Sequence, residues 1–258
     1  MKLESTLYLQ STKKDIAKYV IFSGDPRRVE KIITLMEDVE KVSINREYHT
    51  YTGFYKGVRV TVTSTGIGGP SAAIALEEMY ECGMEVAVRL GTVMGLKSNL
   101  GQYIIPKAAM RKEATSHTYV DSSFPAVADH DLVSCMNQSV LDNEREYENG
   151  IVCSMDGYYT EMKESRLSRQ MERDVPQGIS ELHKYNISGI DMESGVVLTL
   201  SNLMNIRGCV VTLATVLDNL KEMMESNLRI KEEAMLAKIV LDGLVLFHKE
   251  DIKNNESI

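Results

Sequence analysis

Val58-Arg-Val-Thr-Val-Thr-Ser-Thr-Gly-Ile-Gly-Gly-Pro-Ser71 decides the fold of this chain. The alternating, β-branched run from Val58 to Ser64 predicts a strand, and the three glycines at 66, 68 and 69 predict a turn. Pro70-Ser71 then opens an apolar helix that reaches about Cys82 and stops at Gly83. A strand feeding a glycine turn and a helix N-terminus is how α/β proteins bring main-chain N–H groups to an anion. Upstream, Tyr19-Val-Ile-Phe-Ser23 reads as a buried strand, Gly24 as a turn, Asp25 as an N-cap and Pro26 as the start of a helix to about Met36. Downstream, strands are predicted at 85–90, 103–106 and 208–215. Helices are predicted from Asp129 to about Asn143, over 193–203 and over 225–248. Strands alternating with helices imply a largely parallel sheet covered on both faces, with ligands beyond the carboxyl ends of its strands.

The bulk composition narrows the function classes. With 258 residues, 43% hydrophobic and 26% charged, the chain has ordinary globular composition, and no repeat or linker divides it. A net charge of −8 argues against a nucleic-acid or anionic-membrane surface. An anionic ligand must therefore be held by a few local arginines. Cys82, Cys135, Cys153 and Cys209 match no zinc or redox spacing, and no secretory leader is evident. They read as reduced core thiols of a cytoplasmic protein, and no apolar run reaches the roughly 18 residues of a membrane span. The five histidines (His49, His117, His130, His183 and His248) form no metal-ligand pattern. Lys231-Glu232-Glu233 reads as a solvated helix face.

Three arginines stand at or near predicted strand ends: Arg28, Arg46 and Arg89. Arginine offers a planar fork of donors suited to phosphate. Arg89 interrupts an otherwise apolar strand, and a buried guanidinium needs an anionic partner. These residues fall within six motifs: Gly-Asp-Pro-x-Arg at 24–28, Arg-Glu-Tyr at 46–48, Ser-Thr-Gly-Ile-Gly-Gly-Pro-Ser at 64–71, Arg-Leu-Gly-Thr at 89–92, Phe-Pro-Ala-Val-Ala-Asp at 124–129 and Met-Glu-Ser at 192–194. In this order, over nearly the whole length, the chain resembles the nucleoside phosphorylases of the uridine/hexameric purine type. The resemblance implies a single-domain, three-layer α/β/α fold with a central mixed, largely parallel sheet. It also implies cleavage of a nucleoside's N-glycosidic bond by inorganic phosphate, with no required cofactor, in the cytoplasm.

The same resemblance assigns phosphate to Gly24, Arg28, Arg89 and Thr92, with Arg46 supplied by a neighbouring subunit, and ribose to Met192, Glu193 and Tyr8. Glu47, the Ile67 carbonyl and Ser71 match the ligands of a potassium ion at the subunit interface. It further implies a homo-oligomer whose dimer units share active sites, assembled as a hexamer, with neither nucleic acid nor membrane as partner.

The base is read from departures. Met94, Gly95 and Tyr158 fall at the base-binding positions, and the Gln/Arg pair of uridine enzymes is missing after Asp156-Gly-Tyr-Tyr159. A shifted loop offers Arg166 or Gln170 instead. Thr215-Val-Leu-Asp218 resembles the purine enzymes, in which the aspartate protonates the leaving base beside an arginine, here Arg229. Asp218 and Arg229 are therefore the expected catalytic pair, with a purine nucleoside favoured. A uridine phosphorylase with an atypical base loop, and a nucleoside-binding protein blocked by Met94, are the alternatives. Tyr8 stands where relatives carry a histidine.

Overall fold

The structure, a computed structural model, describes residues 5–97, 100–218 and 220–255. The chain runs β1 (Tyr19–Ser23), α1 (Pro26–Ile33), β2 (Glu37–Asn45), β3 (Tyr48–Tyr55), β4 (Val58–Ser64), α2 (Gly69–Glu81) and β5 (Val86–Gly95). It continues through β6 (Tyr103–Ile104), β7 (Ala108–Arg111), β8 (Ala126–Val127), α3 (His130–Asp142), β9 (Tyr147–Glu148) and β10 (Ile151–Ser154). After a π-helical turn at Tyr158–Met162 come α4 (Arg166–Gln170), α5 (Val175–Lys184), β11 (Ile187–Asp191), α6 (Ser194–Leu203), β12 (Arg207–Leu217) and α7 (Ser226–Asn255).

One mixed sheet, parallel at its centre, carries the order β2-β3-β4-β1-β5-β11-β10-β7-β8. Its axis is β5. Along Val86–Leu90, β5 lies parallel to β1 on one side, and its last two residues pair antiparallel with β11. On the other side β12 follows β5 in parallel from Val86 to Gly95, with a register shift between Ala214 and Val216 that bends it.

Period-two alternation distributes the strand residues between two layers of helices. Tyr19 and Ile21 of β1, Val88 and Leu90 of β5, and Val211 of β12 pack with Val29 and Ile32 of α1, Leu132 and Met136 of α3, and Leu236 and Val240 of α7. Val20, Phe22, Ala87 and Val210 face the opposite way, onto Ala73, Leu76 and Met79 of α2 and Val196 and Leu200 of α6. The expected α/β/α layering and largely parallel sheet are thus present.

Local expectations hold where caps and glycines act. Asp25 accepts the Arg27 N–H at 2.9 Å and starts α1, and Asp129 accepts the Leu132 N–H at 2.9 Å and starts α3. Gly83, at φ +94°, follows the end of α2. Other boundaries differ: α7 runs on to Asn255, past 248, and β6 is only Tyr103–Ile104. β5 runs five residues past Leu90, because its ladder with β12 continues through Gly91-Thr92. α1 stops at Ile33, ahead of Met36, where the chain turns into the β2–β3 hairpin that its weak alternation had hidden. Among the described residues no helix is long and apolar enough to cross a membrane.

Candidate active site

A cavity of about 690 Å³ opens where β1, β4, β5, β11 and β12 end. Gly24, Arg28, Arg89, Thr92, Met94, Tyr158, Met192, Glu193 and Arg229 all line it, so most of the expected site residues converge there. Thr215, Val216, Met162, Ile190, Asp191 and the expected cation ligand Ile67 also line it.

Arg89 is the hinge of the site. It is 5% exposed, and the strand around it is apolar, so its charge needs compensation inside the fold. Its Nε donates to Asp191 at 3.0 Å and its Nη2 to Glu193 at 2.5 Å. Among the described residues Nη1 has no protein partner, leaving one arm of the fork for an anion. Burial works against the guanidinium charge, but Glu193 and Asp191 outweigh it and raise the pKa of Arg89. Gly91 makes the curl possible: a Cβ there would lie 2.9 Å from Nη2 and 3.0 Å from Cζ of Arg89.

Glu193 closes the loop back to the glycine turn. Its Oε1 accepts the Gly68 N–H at 2.6 Å, across 125 residues of sequence. Gly68 sits at φ +97°, a backbone conformation that favours glycine. The glycine turn thus acts as scaffold beside the site, and the acceptor its main chain meets is the protein's own carboxylate. Burial pushes the Glu193 carboxyl up, with Arg89 pulling the other way. Asp191 was not singled out from sequence. It sits 3% exposed, accepting from Arg89, from the Ser154 and Ser194 hydroxyls and from the Ser194 N–H. The signal for it was an acidic residue closing an apolar strand next to Met192-Glu193.

The second arginine group gathers at the other end. Arg28, 5% exposed, reaches Ser23 Oγ and Glu233 Oε1, each at 3.3 Å, and its buried Nε has no partner among the described residues. Arg229 donates through Nε to the same Glu233 oxygen at 3.0 Å. Glu233 is therefore no solvated helix residue: it is 6% exposed, buried because α7 packs against α1. Its i,i+4 spacing from Arg229 was the available clue.

Asp218 departs from expectation. It does not line this cavity; its carboxylate lies 2.8 Å from His183 Nε2, in a separate cleft between α5 and the end of β12. The β12 chain carries it past the cavity lining of Thr215 and Val216, and its N–H is tied to the Gly95 carbonyl at 3.2 Å. Asp218 and Arg229 are consequently not brought together. Gly95 supports this turn from the end of β5 and does not line the cavity. Met94 is no plug either. It is 3% exposed, packed with Met155, Met162 and Ile190, and the cavity stays open beside it. Arg166 and Gln170 are exposed on α4 and line no part of the site.

Tyr8, Arg46, Glu47 and Ser71 lie outside the cavity. Arg46, exposed at the β2–β3 turn, packs over the Tyr8 ring at 5.5 Å. Glu47 and Ser71 flank Gly66, and Ser71 Oγ donates to the Ile67 carbonyl at 3.3 Å. A carboxylate, a carbonyl and a hydroxyl are the hard oxygen donors that suit a monovalent cation. Among the described residues no group of three or more His, Cys, Asp or Glu gathers as a metal site.

A family model described as the phosphorylase superfamily matches residues 18–245. The chain belongs to this superfamily. It is 37% identical over 199 residues to a uridine phosphorylase of Thermococcus kodakarensis, covering 76% of this chain and 72% of the relative. It is 33% identical over 202 residues to a guanosine phosphorylase of Halorubrum lacusprofundi, covering 77% and 78%. The crystal structure of a uridine phosphorylase from Vibrio fischeri superimposes with a TM-score of 0.82 at 28% identity, over 95% of this chain and 99% of that one. The chain is thus a pentosyltransferase of the nucleoside phosphorylase type, from a family whose members act on nucleosides with phosphate as co-substrate.

Proposed function

We propose that the chain cleaves uridine by phosphorolysis, releasing uracil and ribose 1-phosphate. The observation that carries this reading over a purine substrate is the direction of Asp218. Its carboxylate is turned to His183 and faces a different cleft, so among the described residues the base end of the cavity presents Met94, Tyr158, Met162 and Ile190 without an acid for a purine nitrogen. The uridine phosphorylase relatives support the same choice.

In this reading phosphate sits against Arg89 Nη1, the Arg28 guanidinium, Thr92 and the Gly24 backbone, with Arg46 of the partner subunit closing the site. The ribose lies over Met192, and Glu193 accepts from its hydroxyls with lone pairs left beyond Arg89 and Gly68. As the C1′–N bond lengthens, positive charge grows on the sugar and negative charge on uracil. The phosphate dianion stabilises the former and then forms the new C1′–O bond, while the bond's electrons leave with the base. Uracil leaves as its anion, stacked against Tyr158, and the proton that balances the step is the one brought in on the phosphate, passed to the base through solvent. Tyr8 serves the partner's ribose, Glu47, Ile67 and Ser71 hold a potassium ion at the dimer contact, and dimers assemble into a hexamer in nucleoside salvage.

Base release from uridine, inosine and guanosine, each with and without phosphate, tests the proposal. Phosphate-dependent release of uracil alone is expected. A purine reading is favoured by Arg229, which lines the cavity, and by the guanosine phosphorylase relative. Release of hypoxanthine or guanine in preference to uracil would establish that reading and overturn the first.

A further inference from the structure

Two cavity arginines share a carboxylate that the cavity itself does not contain. Glu233 Oε1 accepts from Arg28 Nη2 at 3.3 Å and from Arg229 Nε at 3.0 Å, while Oε2 accepts from Lys31 Nζ at 3.0 Å. Arg28 and Arg229 line the cavity; Glu233 and Lys31 stand behind it. We propose that Glu233 is the internal counter-ion of the phosphate end, holding Arg28 and Arg229 until a phosphate displaces it, and so sets how tightly phosphate binds. The inference rests on the phosphorolytic reading.

Three features carry it. The cluster is unbalanced: among the described residues three cations ion-pair with the one carboxylate of Glu233. Arg28 is incompletely satisfied: among the described residues its two side-chain bonds are at the long end for N–H···O and its Nε has no partner. Arg229 is free to move: its side chain is 43% exposed, and among the described residues its guanidinium bonds Glu233 alone. A dianion entering beside Arg28 would draw Arg229 off the shared oxygen, leaving Glu233 to Lys31. Burial works to raise the Glu233 carboxyl, yet Arg28, Arg229 and Lys31 hold it down at about 2, so it is charged whenever it competes with phosphate.

A purely structural pin would behave differently. Removing a pin lowers stability and leaves phosphate affinity alone. Removing a competing counter-ion lowers the stability of the empty protein and tightens phosphate binding, because phosphate then becomes the only partner available to the arginines.

Glu233→Gln keeps an acceptor oxygen and removes the charge. Melting temperature is measured against inorganic phosphate without nucleoside, and KM for phosphate is measured with uridine. The variant is expected to melt lower when phosphate-free, to gain more from phosphate than the wild type, and to show a phosphate KM lower by roughly three- to tenfold. An unchanged or weakened phosphate affinity overturns the role. Should Glu233→Gln not fold, Lys31→Met applies the opposite bias from outside the cavity. Glu233 is then left to the arginines, and phosphate KM is expected to rise several-fold with kcat at saturating phosphate unchanged; an unchanged or lower KM overturns the role. A wild type that shows neither phosphate-dependent stabilisation nor phosphorolysis refutes the phosphorolytic reading itself, whereas a wild type that binds phosphate like Glu233→Gln refutes only the counter-ion.

Discussion

Arg89→Met tests the central claim that one guanidinium neutralises two buried carboxylates. The substitution fits an aliphatic chain into a similar volume and removes the partner of Asp191, 3% exposed, and Glu193, 5% exposed. Deleting one member of a buried ion pair costs about 3–5 kcal/mol, because the other is left as an uncompensated buried charge. At roughly 2–4 °C per kcal/mol for a chain of this size, melting should fall by roughly 10 °C at neutral pH. The two carboxylates will not both stay ionised without Arg89. Glu193 is pushed up by burial even in its presence, so in the variant it should take up a proton on folding. The sign follows from linkage: a carboxyl whose folded pKa lies above its unfolded value binds more protons when folded, and stability is regained as pH falls. The deficit of Arg89→Met relative to the wild type should therefore shrink between pH 8 and pH 5. Thermal or urea unfolding at the two pH values measures it. A loss below about 1 kcal/mol, or a deficit that grows on acidification, would refute the reasoning.

Gly91→Ala places a methyl group 2.9 Å from Arg89 Nη2 and 3.0 Å from Cζ, so it must push the guanidinium aside. A misplacement near 1 Å costs on the order of 10²-fold in turnover, and steady-state kinetics showing less than a threefold loss would contradict the assignment. Asp218→Asn keeps the shape of the residue and faces the His183 cleft, so kcat/KM on uridine should stay within about twofold; a tenfold loss would return Asp218 to the mechanism. Glu233, held at about 2 against an ordinary 4.5, contributes stability present above pH 4.5 and lost as pH falls through about 2. That displacement corresponds to about 3 kcal/mol, so the stability gap between wild type and Glu233→Gln should narrow from pH 7 to pH 3. Asp242, held down in the same range, is present in both proteins and cancels from the comparison.

What could be read from the chain was whatever is encoded locally. β1 and β4 occupy the predicted residues because their apolar or β-branched runs are bounded by Gly24 and Gly66, and Asp25 and Asp129 cap the helices that they precede. The cavity residues from Gly24 to Glu193 were legible as motifs at strand ends. Partners distant in sequence were not. Asp218 meets a histidine 35 residues away on α5, and Glu233 meets Arg28 across 205 residues, so neither pairing leaves a trace in spacing. The same limit hid the partner of the glycine turn. Its geometry declared a main-chain donor at Gly68 but said nothing about the acceptor, which arrives from the start of α6. With Glu193 held there by Gly68, Arg89 can bond it and still keep Nη1 free of partners among the described residues. The turn therefore serves anion binding at one remove, by fixing the carboxylate that fixes the arginine.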